Sequence, residues 1–375
     1  TACLKTNRSS TVQHWELNHC WSKYSSKGST ASEEYQHCPP KSLTPMKRAA
    51  TELDFKMASQ SGEIMRNLEA EVKTQGLPPL LQRQWVSKAS NKGNPVRIMQ
   101  WNVLAQAMSG VDKNFIKCPK EAVQWQIRKN RILQEILRYQ PTVLCIEEVD
   151  MFDFLTENLA PFGYVGIFIP KPKSPCLEFA DNMGADGCAM FYKTSALILS
   201  NSNSVSLKID GKPTNQVMIF GQFQTKIDSP QSFYVGVTHL KAKPDFSEQR
   251  RKQGEFIADF IKTNCSDDPV IFCGDFNAEP IEPVYQIMKD LNLNSVYTSL
   301  SEDGKTEPKF TTWKIRPKGE VTHTIDYIWY SGFKVKAILD LPSEEEVGEG
   351  RLPSLKYPSD HVSLVCDLLF DSKKL

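Results

Sequence analysis

None of the ten cysteines stands in a C-x-x-C pair, so the chain has neither the ligand spacing of a structural zinc site nor a recognisable disulfide frame. They read as reduced thiols of an intracellular protein. No apolar run is long enough to cross a bilayer, and no segment recurs at a fixed period, which sets solenoids aside. Neither sign of charge is in surplus: 45 Lys and Arg against 44 Asp and Glu leave a net charge of +1 over 375 residues. The balance is uneven, however. Residues 1–94 carry 13 basic and 8 acidic side chains, and the remainder carries 32 and 36, a net charge of −4. A slightly acidic body lacks the broad basic footprint of a non-specific nucleic-acid binder, although a local basic cleft stays open.

Residues 1–94 are short of apolar periodicity and rich in Ser, Thr, Lys and Gln, the composition of a largely disordered or loosely attached tail. The opening stretch sets Lys5, Arg8, Lys23 and Lys27 against Glu16 alone. It reads either as an ordinary polar tail or as a mitochondrial transit segment, so the expected location is cytoplasmic, mitochondrial or both. His14, His19 and His37 lack ligand spacing.

Globular signals begin at Pro95. Residues 96–103, 142–149, 160–169, 187–193, 216–225, 233–238, 324–330, 334–339 and 361–370 read as strands. Glu121 to Tyr139 place Val123, Ile127, Ile132, Leu133, Ile136 and Leu137 near helical spacing, with Pro141 beyond the end. Arg128, Lys129 and Arg131 are expected on the solvated face of that helix. A second helix covers Ser247 to Asn264, and a long loop runs from Pro170 to Gly187. Several strands are apolar on both faces, as in covered sheets. Two packed sheets flanked by helices, in one domain over 95–372, account for this pattern. A doubly wound parallel sheet would need more crossover helices between the late strands.

The central stretch is VIFCGDFNAE, residues 270–279. Four apolar residues stopped by Gly274 read as a buried strand ending in a turn, which leaves Asp275 and Asn277 where the chain emerges from the core. Asp275 can take a proton from water, and Asn277 can donate to a phosphate oxygen. Other strands end in similar chemistry. Glu148 is a hard oxygen ligand suited to Mg2+, with Mn2+ as a substitute. Glu147 has the opposite strand parity and reads as structural. Asn102 can orient Glu148 or donate to phosphate, and His239 can donate to non-bridging oxygens. Asp326 is placed to fix the tautomer of an imidazole, with His361 as its natural partner. Asp360 can support a metal-bound water, and His323 reads as structural.

The settings of these residues, W-N, E-E-V, T-H-L, G-D-F-N, I-D-Y-I and S-D-H, resemble in kind and order the endonuclease/exonuclease/phosphatase superfamily. The resemblance implies a four-layer α/β sandwich with its site at one end of two packed sheets. The longer stretches MQWNVLAQA, THLKAK, CGDFNAEP, TTWKIR, HTIDYIWY and YPSDHVSLVCD are similar to its deadenylase-like branch. Within that branch they resemble enzymes described as removing the 2′-phosphate of NADP+ and NADPH and earlier assigned to poly(A) shortening. The resemblance implies phosphate contacts for Lys171, Lys241 and Arg316. It also implies one for Lys243, which stands where the branch carries arginine and so keeps the charge without the bidentate fork. Whether Asp275 or His361 is the general base stays open. The expected protein is a monomeric, Mg2+-dependent NADP(H) 2′-phosphatase. A poly(A) 3′-exoribonuclease and a catalytically silent adaptor of an RNA-processing complex are the competing readings.

Overall fold

Strands buried on both faces need cover on both sides, and the chain supplies it with two sheets packed face to face and helices outside them. The structure is a computed structural model that describes residues 45–88, 93–110, 114–265 and 267–371, with side chains from residue 56 onward. The strands are β1 (Trp85–Ser87), β2 (Val96–Asn102), β3 (Val143–Glu147), β4 (Tyr164–Pro170), β5 (Gly187–Lys193), β6 (Leu197–Ile209), β7 (Lys212–Thr225), β8 (Ser232–His239), β9 (Val270–Asp275), β10 (Asn294–Ser295), β11 (Thr312–Arg316), β12 (Gly319–His323), β13 (Asp326–Ser331), β14 (Phe333–Leu339) and β15 (Leu364–Phe370). The main helices are α1 (Pro45–Thr74), α2 (Trp125–Tyr139), α3 (Phe152–Leu159), α4 (Ser247–Cys265) and α5 (Pro283–Asp290).

One sheet has seven strands in the order β1-β14-β15-β2-β3-β5-β4, the other six in the order β10-β13-β9-β8-β7-β6, and β11–β12 form a separate hairpin. Ile98, Val143, Met190 and Leu364 from the first sheet meet Ile219, Val235, Ile271 and Ile328 from the second in one buried inter-sheet core. Leu133, Ile136 and Leu155 on α2 and α3 cover the outer face of the first sheet together with Trp101. Ile257 and Ile261 on α4 and Met288 on α5 cover the outer face of the second with Trp329. The four-layer α/β sandwich is therefore observed. The described cysteines are all free thiols and all buried.

The N-terminal boundary at residue 94 needs correction, because part of residues 1–94 belongs to the domain. β1 pairs with β14 and extends the first sheet. Leu68 and Leu81 are buried, with Met65 and Val72 packed beside them. Arg83 donates from Nη1 to Ser363 Oγ at 2.9 Å and from Nε to the Asp340 carbonyl at 2.6 Å. The apolar stripe of α1 is thin, and packing against α2 stabilises it more than its own composition does. The transit-segment reading and His14, His19 and His37 lie outside the described residues.

A second correction concerns α2. Arg128 and Arg131 do not face solvent; their relative exposures are 0% and 1%. Their guanidinium groups reach backbone carbonyls of the crossing loops, those of Pro358 and Val103 for Arg128 and that of Leu355 for Arg131. Helical periodicity shows which face turns inward, but not that loops will cross over its edge.

Candidate active site

Register brings the polar strand ends together. β8 and β9 run parallel with His239 beside Asp275, and antiparallel β13 places Asp326 on the other side of Asp275. In the first sheet β2 and β3 run parallel and set Asn102 beside Glu147. Gly274 permits the close approach of β9 to β8, since a Cβ there would lie 2.3 Å from the Thr238 carbonyl oxygen. Glu148 and Asn277, one residue beyond β3 and two beyond β9, take left-handed backbone at φ 54° and 50°. This conformation costs a residue with a Cβ about 1–3 kcal/mol and persists where the surroundings enforce it.

Asn102 ties the two sheets together. Its Nδ2 donates to Glu148 Oε1 and to Asp275 Oδ2, both at 3.0 Å. Asp275 Oδ1 accepts from the Asn277 backbone N–H at 2.8 Å. Asn277 Nδ2 meets His239 Nε2 at 2.9 Å. His361 Nδ1 donates to Asp326 Oδ2 at 2.9 Å, and Thr311 Oγ1 donates to the same oxygen at 2.6 Å. His361 Nε2 faces Asp275 Oδ2 at 3.9 Å and Asp360 Oδ2 at 3.8 Å. Asn102, Glu148, His239, Asp275, Asn277, Asp326 and His361 thus form one connected group.

The electrostatics follow from burial and neighbours. Burial, then the charge of Asp326, raises the Asp275 pKa to about 7. Burial would lower the His361 pKa, but Asp326, Asp360 and Asp275 overcome it and raise it to about 9. His361 is therefore an imidazolium at neutral pH. Burial, reinforced by the charges of Lys171, His361 and Lys314, holds His239 well below the ordinary range and leaves it neutral.

Asp360 departs from its expected role. Its carboxylate is taken by Lys314 Nζ, and it stands outside both groupings of potential metal ligands among the described residues. Burial opposes its charge, but Lys314 and His361 hold it well below the usual carboxylate range. Lys171 is half-enclosed with Nζ 2.5 Å from Asp186 Oδ2, and Glu148 adds to the stabilisation of its charge. Lys241 lies over the Phe246 ring, 4.5 Å from its centre, and Lys243 is exposed. Arg316 donates to Asn114 Oδ1 at 2.8 Å above the Phe115 ring. His323 is exposed and pairs with Glu279.

Sequence reasoning missed Lys314, Asp186 and Gln100. Gln100 Nε2 donates to Glu147 Oε2 at 2.9 Å and to Asp326 Oδ1 at 3.3 Å. Glu147 is fully buried, and burial with the charges of Asp326 and Asp275 pushes its pKa well up. The signal for Lys314 was present, a lysine two residues before Arg316 in TTWKIR, but its partner lies 46 residues away.

The profile described as the Endonuclease/Exonuclease/phosphatase family matches residues 99–361. The chain belongs to this family. Nocturnin of Rattus norvegicus is 46% identical over 321 residues, which span 83% of this chain and 74% of that one. The structure of the human Nocturnin catalytic domain with bound sulfate anion superposes with a TM-score of 0.67 at 42% identity, covering 78% of this chain and 100% of that one. The CCR4-Not complex 3'-5'-exoribonuclease subunit Ccr4 of Candida albicans is 27% identical, over 72% of this chain and 40% of that protein. As a member of the family, the chain is a metal-dependent, deadenylase-like hydrolase of phosphoric esters. The residues present fit a divalent cation. Glu148, His239 and Asp275 each offer a ligand atom, and these atoms lie within 4.8 Å of one another. The imidazole in the set is neutral, as a ligand must be. The second grouping, Asp275, Asp326 and His361, fits less well, because the His361 ring is protonated and already donates to Asp326.

Proposed function

We propose that this chain removes the 2′-phosphate of NADP+ and NADPH, giving NAD+ or NADH and inorganic phosphate. The observation that carries the reading is the half-enclosed Lys171, whose charge Asp186 and Glu148 stabilise, near the Glu148, His239 and Asp275 grouping, in a chain 46% identical to Nocturnin. The lysine places fixed positive charge next to the carboxylates, as a compact dianionic phosphate requires. The strand-end motifs resemble those of NADP(H) 2′-phosphatases, and this resemblance supplies the substrate.

Glu148, with Asp275 and His239, would hold Mg2+ or Mn2+, which when bound neutralises charge on the phosphoryl oxygens. Asp275 takes the proton of the attacking water. The water oxygen bonds to phosphorus, the bond from phosphorus to the 2′ oxygen breaks, and that oxygen takes a proton from solvent while Asp275 returns its own to solvent. His361, protonated and steadied by Asp326, presents its Nε2 hydrogen to the charge that builds on phosphate. Its raised pKa favours this role over that of the base. Asn277 Nδ2, shared between His239 Nε2 and the Leu240 carbonyl, steadies the His239 ring. Asn102 holds Glu148 and Asp275 at a fixed separation. Lys241, Lys243 and Arg316 receive the rest of the dinucleotide.

The test is product analysis with NADP+, NADPH, adenosine 2′-phosphate and oligo(A), with and without Mg2+. Phosphate and NAD(H) should appear only with the cation. Similarity to the Ccr4 exoribonuclease subunit supports a second reading, poly(A) 3′-exoribonuclease. Shortening of oligo(A) with no phosphate from NADP+ would replace the first reading by the second.

A further inference from the structure

The loop after β8 is held from beneath by a buried arginine. Arg250 on α4 has 0% exposure. Its Nη1 donates to the carbonyls of Lys241 at 2.9 Å and Lys243 at 2.7 Å, and its Nη2 reaches toward that of Pro244 at 3.5 Å. Nε and Nη2 make a two-pronged pair with Glu282, both at 2.9 Å. One helical turn further on, Gln253 is also buried; it accepts from the Lys241 backbone N–H at 3.1 Å and donates to Gln216 Oε1 at 2.9 Å. Lys243 itself sits at φ 82° and ψ 143°, a backbone region that a residue with a Cβ occupies only under constraint. Arg250 provides that constraint by binding the carbonyls of residues 241 and 243.

The strand end upstream is anchored separately. The Leu240 N–H donates to the Asp275 carbonyl at 2.9 Å, and the Leu240 carbonyl accepts from Asn277 Nδ2 at 3.2 Å. The grip of Arg250 therefore acts on residues 241–244 and leaves His239 to other bonds. Those residues carry two ammonium groups, Lys241 above Phe246 and the exposed Lys243, on a backbone that is ordered before any ligand arrives. Cations fixed in advance bind a diphosphate without the cost of ordering a mobile loop.

We infer that Arg250, seconded by Gln253 and Glu282, is a positioning residue that sets selectivity for substrates bearing a diphosphate bridge in addition to the phosphate that is cleaved. This rests on the dinucleotide reading proposed above. Arg250 touches neither the reacting phosphate nor its cation site; it fixes the two lysines that meet the bridge.

The experiment compares wild type with Arg250→Met/Glu282→Leu, which removes both charges together so that neither is left buried alone. NADP+ is compared with adenosine 2′-phosphate, which lacks the bridge, in the presence of Mg2+. KM for NADP+ should rise roughly tenfold, as for loss of a charged hydrogen bond, with kcat within about twofold. Both constants for adenosine 2′-phosphate should stay unchanged. Arg250→Lys, which keeps charge but not the fork, should fall between. Gln253→Met, which removes only the partner of the Lys241 N–H, should raise KM for NADP+ in the same direction and serves if the double variant does not fold. An equal loss on both substrates, or no change on either, overturns the inference while leaving the dinucleotide reading in place. Wild-type enzyme that releases phosphate from neither substrate removes both.

Discussion

Replacing Arg128 by Met should both loosen the domain and slow the reaction. The Arg128 guanidinium is fully buried and joins two loops that carry site residues. It donates to the carbonyls of Val103 at 2.6 Å and Leu104 at 2.5 Å, just past Asn102, and to that of Pro358 at 2.9 Å, just before Ser359, Asp360 and His361. It also donates to Gln106 Oε1 at 2.6 Å. Met fills most of the volume but satisfies none of these acceptors. Each buried acceptor left unpaired costs about 1–3 kcal/mol, and local relaxation recovers part of the sum. A net loss of roughly 3–5 kcal/mol follows, in the range for removing one member of a buried charged network. With an unfolding entropy of about 2.1 cal/mol/K per residue, the unit Ala50–Leu375 should melt about 4–7 °C lower. Lys129→Met, beside it on the helix surface, should change stability by no more than about 0.5 kcal/mol. Small displacement of the His361 loop should lower kcat by up to about 100-fold at temperatures well below the melt. Calorimetry and phosphate release measure the two effects. An Arg128→Met protein that melts within a degree of wild type would refute the argument that these bonds join the loops.

Glu148→Ala should abolish cation-dependent turnover with little change in melting, because Glu148 contributes to the cation site and not to the core; survival of near wild-type activity in the variant would count against its assignment as a ligand. Asp275, with its pKa raised to about 7, carries a proton below that pH which a cation must displace. Affinity for Mn2+ should therefore fall as pH falls below about 7, approaching tenfold per pH unit for one proton released; calorimetric titration at several pH values checks this, and a flat profile contradicts it. A chain beginning at residue 90 lacks Arg83 and β1 and so leaves the buried Glu135 without its cation and the edge of β14 without its partner strand. It should be poorly folded by circular dichroism, and a stable, fully active product would show that the segment before it is dispensable.

Apolar runs covered on both faces and helical patterning, together with the polar residues that end those runs, determined the sandwich and most of the candidate site. Asn102, Glu148, His239, Asp275, Asn277, Asp326 and His361 were all legible, because a buried strand that ends in a carboxylate, amide or imidazole must deliver that group to one end of a sheet. The sequence could not say what each group would face. Glu147 and Glu148 are adjacent, yet one is buried and joined to Asp326 through Gln100 and the other belongs to the grouping of potential metal ligands. Asp360 read as the support of a metal-bound water until Lys314 reached it from the hairpin. Arg128 and Arg131 read as surface charges until loops closed over them. α1 and β1 were hidden in a polar segment whose few apolar side chains become decisive only against α2 and β14. Local patterning records which side chains avoid water, since that depends on neighbours a few residues away. The protonation and pairing of a buried charge depend on groups tens or hundreds of residues distant, and only the closed tertiary structure brings those within a few ångströms.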